Sequence, residues 1–139
     1  MNASIRTLML AAALALPAPT LAQDKAPALK GHDPVAYFVD GRPVKGAPSI
    51  AYDFDDSRYH FSTPRHRDLF AADPDRYAPQ FTGLCTMGMA KGMKAEADPS
   101  IWKIVDGRLY VFSSVQAREQ VEKDPSLLAK AHQAFKARN

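Results

Sequence analysis

The residues of this chain that are best suited to chemistry are sulfur-bearing and lie close together. Cys85 is the only cysteine in 139 residues. It is followed at close spacing by three of the five methionines, namely Met87, Met89 and Met93. A cysteine without an internal partner is a packing thiol, a reactive thiol or a metal ligand, and the sequence leaves these alternatives open.

The metal interpretation rests on ligand type. Thiolate and thioether sulfur are preferred by soft cations such as Cu(I), and imidazole binds copper and zinc. We therefore expect a soft transition metal, copper above all, at Cys85 with His32 or His66 and with Met89 as ligands. In a helix from Leu84 to Lys91, Cys85 and Met89 would share a face and Met87 would point to the other side.

Each of these residues also has a purely structural interpretation. Cysteine and methionine are common in cores, so Cys85 and Met89 could be buried packing residues. His66 lies among charged residues near a helix start, where a solvated or capping role is common. His32 precedes Asp33-Pro34, which is typical of a turn. The chain contains no motif for nucleophilic, phosphate or zinc catalysis, and we expect it not to be an enzyme.

Alternating apolar residues predict two β-hairpins. The first pairs 50–54 with 58–61 across the turn residues Asp55, Asp56 and Ser57. The second pairs 101–105 with 108–112 across Asp106-Gly107, a dipeptide that suits a tight primed turn.

Short helices are predicted around and after these hairpins. One begins after Ser62 or Thr63 and runs from Pro64 towards Ala72, and another covers 84–91. A helical pair, 115–123 and 126–137, closes the chain and is divided by Asp124-Pro125. The sequence therefore predicts a small α+β domain, and no internal repeat is evident in it.

The N-terminus has the three parts of a secretory signal peptide. Arg6 precedes an apolar run, and Thr20-Leu21-Ala22 ends in a small residue, which predicts cleavage after Ala22. We therefore expect a signal peptide over 1–22, a linker over 23–30 and one domain over 31–139, in the periplasm or secreted. No segment has the roughly 20 apolar residues needed for a membrane span.

The charge of the chain argues against one class of partner. The formal net charge is only +3, and the basic residues are spread along the sequence. Nucleic-acid-binding domains usually concentrate basic residues on one face, so we expect no nucleic-acid partner. A metal ion is the partner that the sequence favours, and a protein partner stays undefined.

Several short motifs, taken in order, resemble the YHS domain family, in particular its exported single-domain bacterial members. The matching segments cover nearly the whole predicted domain and are Asp33-Pro34-Val35, 59–66, Phe70, Asp73-Pro74, 77–79, 83–85, Asp98-Pro99, Trp102 and 106–110. The resemblance implies a small α+β fold related to modules that bind heavy metals.

The family's metal site does not carry over directly. Where its metal-binding members have cysteines, this chain has Ala36, Ser62 and His66, and only His66 is a good transition-metal ligand. Cys85 belongs instead to the pattern of the exported members.

A module without metal is the alternative function. It would bind a small ligand or a protein with Cys85 as a buried core thiol at the floor of an aromatic pocket. The candidate lining residues are Tyr37, Phe38, Tyr77, Phe81, Trp102 and Tyr110.

Overall fold

A computed structural model describes residues 15–16 and 25–139 of the chain. The predicted signal peptide therefore lies outside the described residues except for Ala15 and Leu16, and so does part of the predicted linker. Within the described part, two antiparallel two-stranded sheets and short helices form an α+β structure, as predicted. No described helix has the length and apolar character to cross a bilayer.

The elements fall into two series along the chain. The first half, 28–77, consists of a 3₁₀ turn Ala28–Gly31, α1 Ala36–Val39, β1 Ala47–Phe54, β2 Ser57–Phe61, α2 Pro64–Ala72 and α3 Pro74–Tyr77. The second half, 80–136, consists of a 3₁₀ turn Gln80–Gly83, α4 Thr86–Ala90, β3 Asp98–Val105, β4 Arg108–Phe112, α5 Val115–Lys123 and α6 Ser126–Lys136.

The second half repeats the first, element by element. Each of its elements begins 50 to 52 residues after its counterpart, as Asp98 of β3 follows Ala47 of β1. The expectation of no internal repeat was therefore wrong. It failed because the identical residues of the two halves are few and scattered, as in Pro48-Ser49-Ile50 and Pro99-Ser100-Ile101. The halves share the order of their elements and, except for α3 and α6, nearly the same lengths.

Local backbone details repeat at the same interval. Leu29 and Lys30 of the first 3₁₀ turn have φ of 54° and 51°, and Phe81 and Thr82 of the second have 58° and 55°. Such values are uncommon for residues other than glycine. Each hairpin also has an irregular register near the start of its first strand, between Ala47 and Ala51 and between Asp98 and Trp102.

The helix starts were predictable from their caps. The side chain of Thr63 accepts a hydrogen bond from the N–H of His66 at 3.1 Å, and that of Ser114 accepts one from Ala117 at 3.1 Å. These oxygens satisfy N–H groups that the first turn of a helix leaves unpaired. The predicted starts of α2 and α5 are therefore confirmed.

Two apolar clusters make the core. Val35, Tyr59, Phe61, Phe70 and Tyr77 form a cluster of the first half. The other cluster belongs mainly to the second half, but it also contains Leu29 and Tyr37. The hydroxyl of Tyr37 donates to the carbonyl of Pro99 at 2.7 Å, and this burial raises the pKa of Tyr37. The two halves therefore share one of their clusters.

Candidate functional site

Cys85 lies immediately before a short helix and not within it. Its φ and ψ of −60° and 122° are those of extended backbone, and α4 covers Thr86–Ala90. The N–H of Cys85 donates to the carbonyl of Ala95 at 2.9 Å, which ties it to the segment before β3. The predicted helix over 84–91 was therefore too long at its start. The residue is 1% exposed.

The sulfur of Cys85 makes two hydrogen bonds with one residue. The backbone N–H of Ser113 donates to Sγ at 3.2 Å, and the thiol donates to Oγ of Ser113 at 3.3 Å. Ser113 directly follows β4, so the end of the second hairpin positions it. Sequence reasoning did not single out Ser113.

A cavity of about 260 Å³ lies beside Cys85, and we call it the Cys85 cavity. Two methionines line it together with the cysteine, namely Met87 and Met93. The opposite wall comes from the start of α5, where Ala117 is a lining residue. Lys91 contributes the positive charge of the lining. Three sulfur-bearing residues therefore border one space.

The methionines are arranged differently from the prediction. Met89 is fully buried in the apolar cluster that belongs mainly to the second half, and it does not line the Cys85 cavity, whereas Met87 does. The helical-face argument failed because Cys85 precedes the helix, so the 100° step per residue does not apply to it. Gly88 lets α4 approach its neighbour closely, since a Cβ there would lie 2.9 Å from that of Ala95.

Asp33 is the centre of a second buried polar group, which we call the Asp33 cluster: Asp33, Ser62 and His66. The carboxylate is 0% exposed. Its Oδ1 accepts from the N–H groups of Val35 and Ala36 at 2.9 and 3.3 Å. Its Oδ2 accepts from the N–H and hydroxyl of Ser62 at 2.8 and 2.7 Å, and it lies 2.7 Å from Nδ1 of His66. The predicted turn at Asp33-Pro34 is therefore also a buried anchor.

His66 is buried and not solvated. It is 7% exposed, and its ring bonds to a carboxylate on another segment, so a solvated or capping ring is excluded. The Asp33 cluster contains a serine, a histidine and an aspartate, as a hydrolytic triad does, but these residues are not arranged as in a triad. In a triad, serine and aspartate bond to opposite ring nitrogens. Here the hydroxyl of Ser62 and the carboxylate both lie near Nδ1, at 3.4 and 2.7 Å.

His32 and His66 have hydrogen-bond partners of their own. Nδ1 of His32 lies 3.0 Å from the carbonyl of Leu29, and His66 is held by Asp33. Neither residue lines the Cys85 cavity. Between residues 25 and 139, no group of three or more histidine, cysteine, aspartate or glutamate side chains is placed to hold a metal ion. Of the predicted ligands Cys85, His32, His66 and Met89, only Cys85 lines the Cys85 cavity.

The Asp33 cluster and the Cys85 site occupy equivalent places in the two halves. The N–H of Asp33 donates to Val44 at 2.8 Å, as that of Cys85 does to Ala95. Ser62 and Ser113, which follow β2 and β4, each donate a backbone N–H to the buried group. The hydroxyl of Ser62 also donates to Asp33, whereas that of Ser113 accepts from the thiol. The sequence signal for this equivalence is the pair Phe61-Ser62-Thr63 and Phe112-Ser113-Ser114.

The aromatic residues considered for a pocket form the core instead. None of the six lines the Cys85 cavity. Tyr37 packs edge-on against Trp102 at 5.2 Å between ring centroids, and Phe38 packs against Tyr77 at 5.4 Å. These two pairs of aromatic side chains therefore contribute to packing.

His132 of α6 is half-buried and joins the aromatic core. Its Nε2 lies at hydrogen-bond distance, 2.8 Å, from the hydroxyl of Tyr110, and its ring lies 4.9 Å from that of Phe81. Burial is the main cause that lowers the pKa of His132, and the positive charge of Arg108 adds to it. His132 is therefore part of the aromatic packing around Phe81 and Tyr110.

Comparison of the chain with models of protein families, with curated proteins and with solved structures gave no match.

Proposed function

We propose that this protein binds one soft transition-metal ion, Cu(I), in the Cys85 cavity. The observation that carries the proposal is the placement of Cys85, Met87 and Met93 around one space of about 260 Å³. Thiolate and thioether sulfur match a soft cation, and one thiolate balances the charge of Cu(I). No histidine is needed in this ligand set.

The surroundings of Cys85 suit a ligand that must lose a proton. Metal binding by cysteine releases the thiol proton, so the sulfur then needs donors other than the metal. The N–H of Ser113 already donates to Sγ, and the hydroxyl of Ser113 can turn and donate once the thiol proton has left. Lys91 lines the same cavity and favours a monovalent over a divalent cation by charge.

The proposal includes family and location. We infer a YHS-like domain because the positions that replace the family's cysteines, Ala36, Ser62 and His66, all contact Asp33. We further propose that the protein works in the periplasm or outside the cell, where the predicted signal peptide would send it. Metal sequestration or delivery, and not catalysis, is the activity that this ligand set supports.

The test is a Cu(I) competition titration of the purified, reduced protein against a chromogenic chelator. We expect one equivalent of bound Cu(I), loss of binding in Cys85→Ser and at least tenfold weaker binding in Met87→Leu and Met93→Leu. Met89→Leu is the matched control, because Met89 is a core methionine outside the cavity. Unchanged affinity in Met87→Leu and Met93→Leu, or no stoichiometric uptake, would refute the site.

A second candidate function is binding of a small organic ligand without metal. It is favoured by the hydrogen bonds that already satisfy Cys85 and by the polar residues Ser114, Gln116 and Gln120 in the cavity lining. Hydroxyl and amide groups at the edge of an apolar space are typical of organic ligand sites. In that case Cys85 is a core thiol, and Cys85→Ser lowers stability without changing metal content.

A further inference from the structure

A comparison of the two halves shows that one side chain of the first half, an imidazole, has no counterpart beside Cys85. In the first half, the third residue of α2 is His66, whose ring reaches the carboxylate of Asp33. The third residue of α5 is Ala117, and its N–H makes the same bond to the helix cap as that of His66. Ala117 lines the Cys85 cavity. The cavity therefore lies where the equivalent half has an imidazole ring.

The space is large enough for such a ring. Its volume of about 260 Å³ is several times the ~30 Å³ share of one liquid water molecule. The position equivalent to His66 has only the methyl group of Ala117, and the space beside it is bordered by Cys85. In the first half the hydroxyl of Ser62 lies 3.4 Å from Nδ1 of His66, and Thr63 accepts a hydrogen bond from the backbone N–H of His66. The counterparts of these two residues are Ser113, which bonds to Sγ of Cys85, and Ser114, which caps α5.

We propose that the Cys85 cavity binds an imidazole ring supplied from outside the chain. The ring replaces the imidazole that His66 provides in the first half, and its nitrogen bonds to Sγ of Cys85. The ring comes from a free imidazole compound or from a histidine of a peptide. The inference does not rest on metal binding, since the metal-free thiol is the partner.

The hydrogen-bond chemistry of the pair is balanced in either protonation state. A neutral ring accepts the thiol proton in a hydrogen bond, and an imidazolium donates to the thiolate. The thiol now donates to the hydroxyl of Ser113 at 3.3 Å, so the ring replaces only that contact. The N–H of Ser113 still donates to the sulfur. Lys91 in the lining disfavours a second positive charge and therefore favours the neutral ring.

The test uses metal-free, reduced protein and 4-methylimidazole, the analogue of the histidine side chain, in an NMR titration. We expect saturable shifts of the backbone amide signals of Cys85, Ser113 and Ala117. Pyrrole is the matched ligand control, because it has the ring but no unprotonated nitrogen, and it should bind at least tenfold more weakly. Absence of saturable shifts, or equal binding of pyrrole, overturns the proposal.

Two variants make the test specific to the cavity. Ala117→His should place an imidazole in the space from within and abolish binding of 4-methylimidazole, whereas Lys123→His, at the far end of α5, should leave it unchanged. Ala117→Leu fills the space without a nitrogen. Adding Cys85→Ala should lower the urea midpoint of Ala117→His more than that of Ala117→Leu, and equal losses count against the ring-to-sulfur bond.

The same titration separates the two sources and the two proposals. A glycine-flanked histidine peptide that binds more tightly than 4-methylimidazole assigns the ring to a protein partner, and weaker binding assigns it to a free compound. Because the buffer contains a metal chelator, binding of the ring here and failure of the Cu(I) titration are independent results. If Ala117→His does not fold, the wild-type titration with pyrrole as control still decides.

Discussion

The two halves of the molecule share one arrangement of backbone elements, which we call the frame. In each half the frame holds a different buried group. In the first half the frame holds the carboxylate of Asp33, which accepts five hydrogen bonds including that of His66. In the second half it holds the thiol of Cys85, which makes two, both with Ser113. A buried carboxylate requires several donors to offset its lost hydration, whereas a buried thiol does not.

This difference decides which half is free to bind a ligand. The first half fills the space beside its buried group with its own imidazole, and the second half leaves about 260 Å³ open. The Asp33 cluster is therefore committed to holding segments together. The Cys85 site keeps the same frame and has room for an incoming molecule.

The largest expected effect comes from removing the carboxylate. Asp33→Ala should destabilise the protein by about 3–5 kcal/mol, because it leaves buried donors of Ser62 and His66 without an acceptor. The equivalent Cys85→Ala should cost only about 1 kcal/mol, since a thiol makes weaker bonds. Urea unfolding of both variants measures the difference. Similar losses in the two variants would contradict the division into a structural and a binding half.

A smaller effect is expected at the residue that precedes the first strand of each hairpin. Gly46 and Ala97 are equivalent, and a Cβ on Gly46 would lie 2.4 Å from the backbone carbonyl carbon of His60. Gly46→Ala should therefore destabilise by about 2–3 kcal/mol through overpacking. The reciprocal Ala97→Gly should cost about 1 kcal/mol. Thermal unfolding of the pair tests this asymmetry, and a neutral Gly46→Ala would show that the two halves have equal room at this position.

The smallest effect concerns pH. Burial lowers the pKa of His132, so the folded protein favours the neutral form of the ring, which is hydrogen-bonded to Tyr110. Stability from this group is complete above the unfolded pKa of about 6.5 and falls as the pH drops below it. His132→Gln should therefore flatten the decline in unfolding free energy between pH 7.5 and 5.5. His60 in the first half, with a pKa also lowered by burial, should act in the same direction. An unchanged slope in both His132→Gln and His60→Gln would contradict this.

Much of the local structure was predictable because it depends on neighbouring residues. The turn at Asp106-Gly107 joins β3 and β4 as expected, with φ of 50° and 73° at the two residues. The capped starts of α2 and α5 and the stop at Asp124-Pro125 follow from short-range steric and hydrogen-bonding rules.

The candidate site was less predictable because it depends on contacts between distant segments. Asp33 and His66 meet across 33 residues, and Cys85 meets Ser113 across 28. The helical period alone could not place Met87 beside Cys85, since that required knowing that the helix begins at Thr86, two residues later than predicted. In the sequence the repeat is visible only as short matches 51 residues apart, such as Phe61-Ser62 and Phe112-Ser113, and the paired site residues His66 and Ala117 share no chemistry.

One residue of the first half packs against the second half and so links the folding of the two. Tyr37 comes from α1, yet its ring lies against Trp102 and its hydroxyl bonds to Pro99. Separating the halves would expose this ring and leave an unfilled hollow beside β3. We therefore expect the two halves to unfold in a single cooperative transition, although each has its own set of helices and strands.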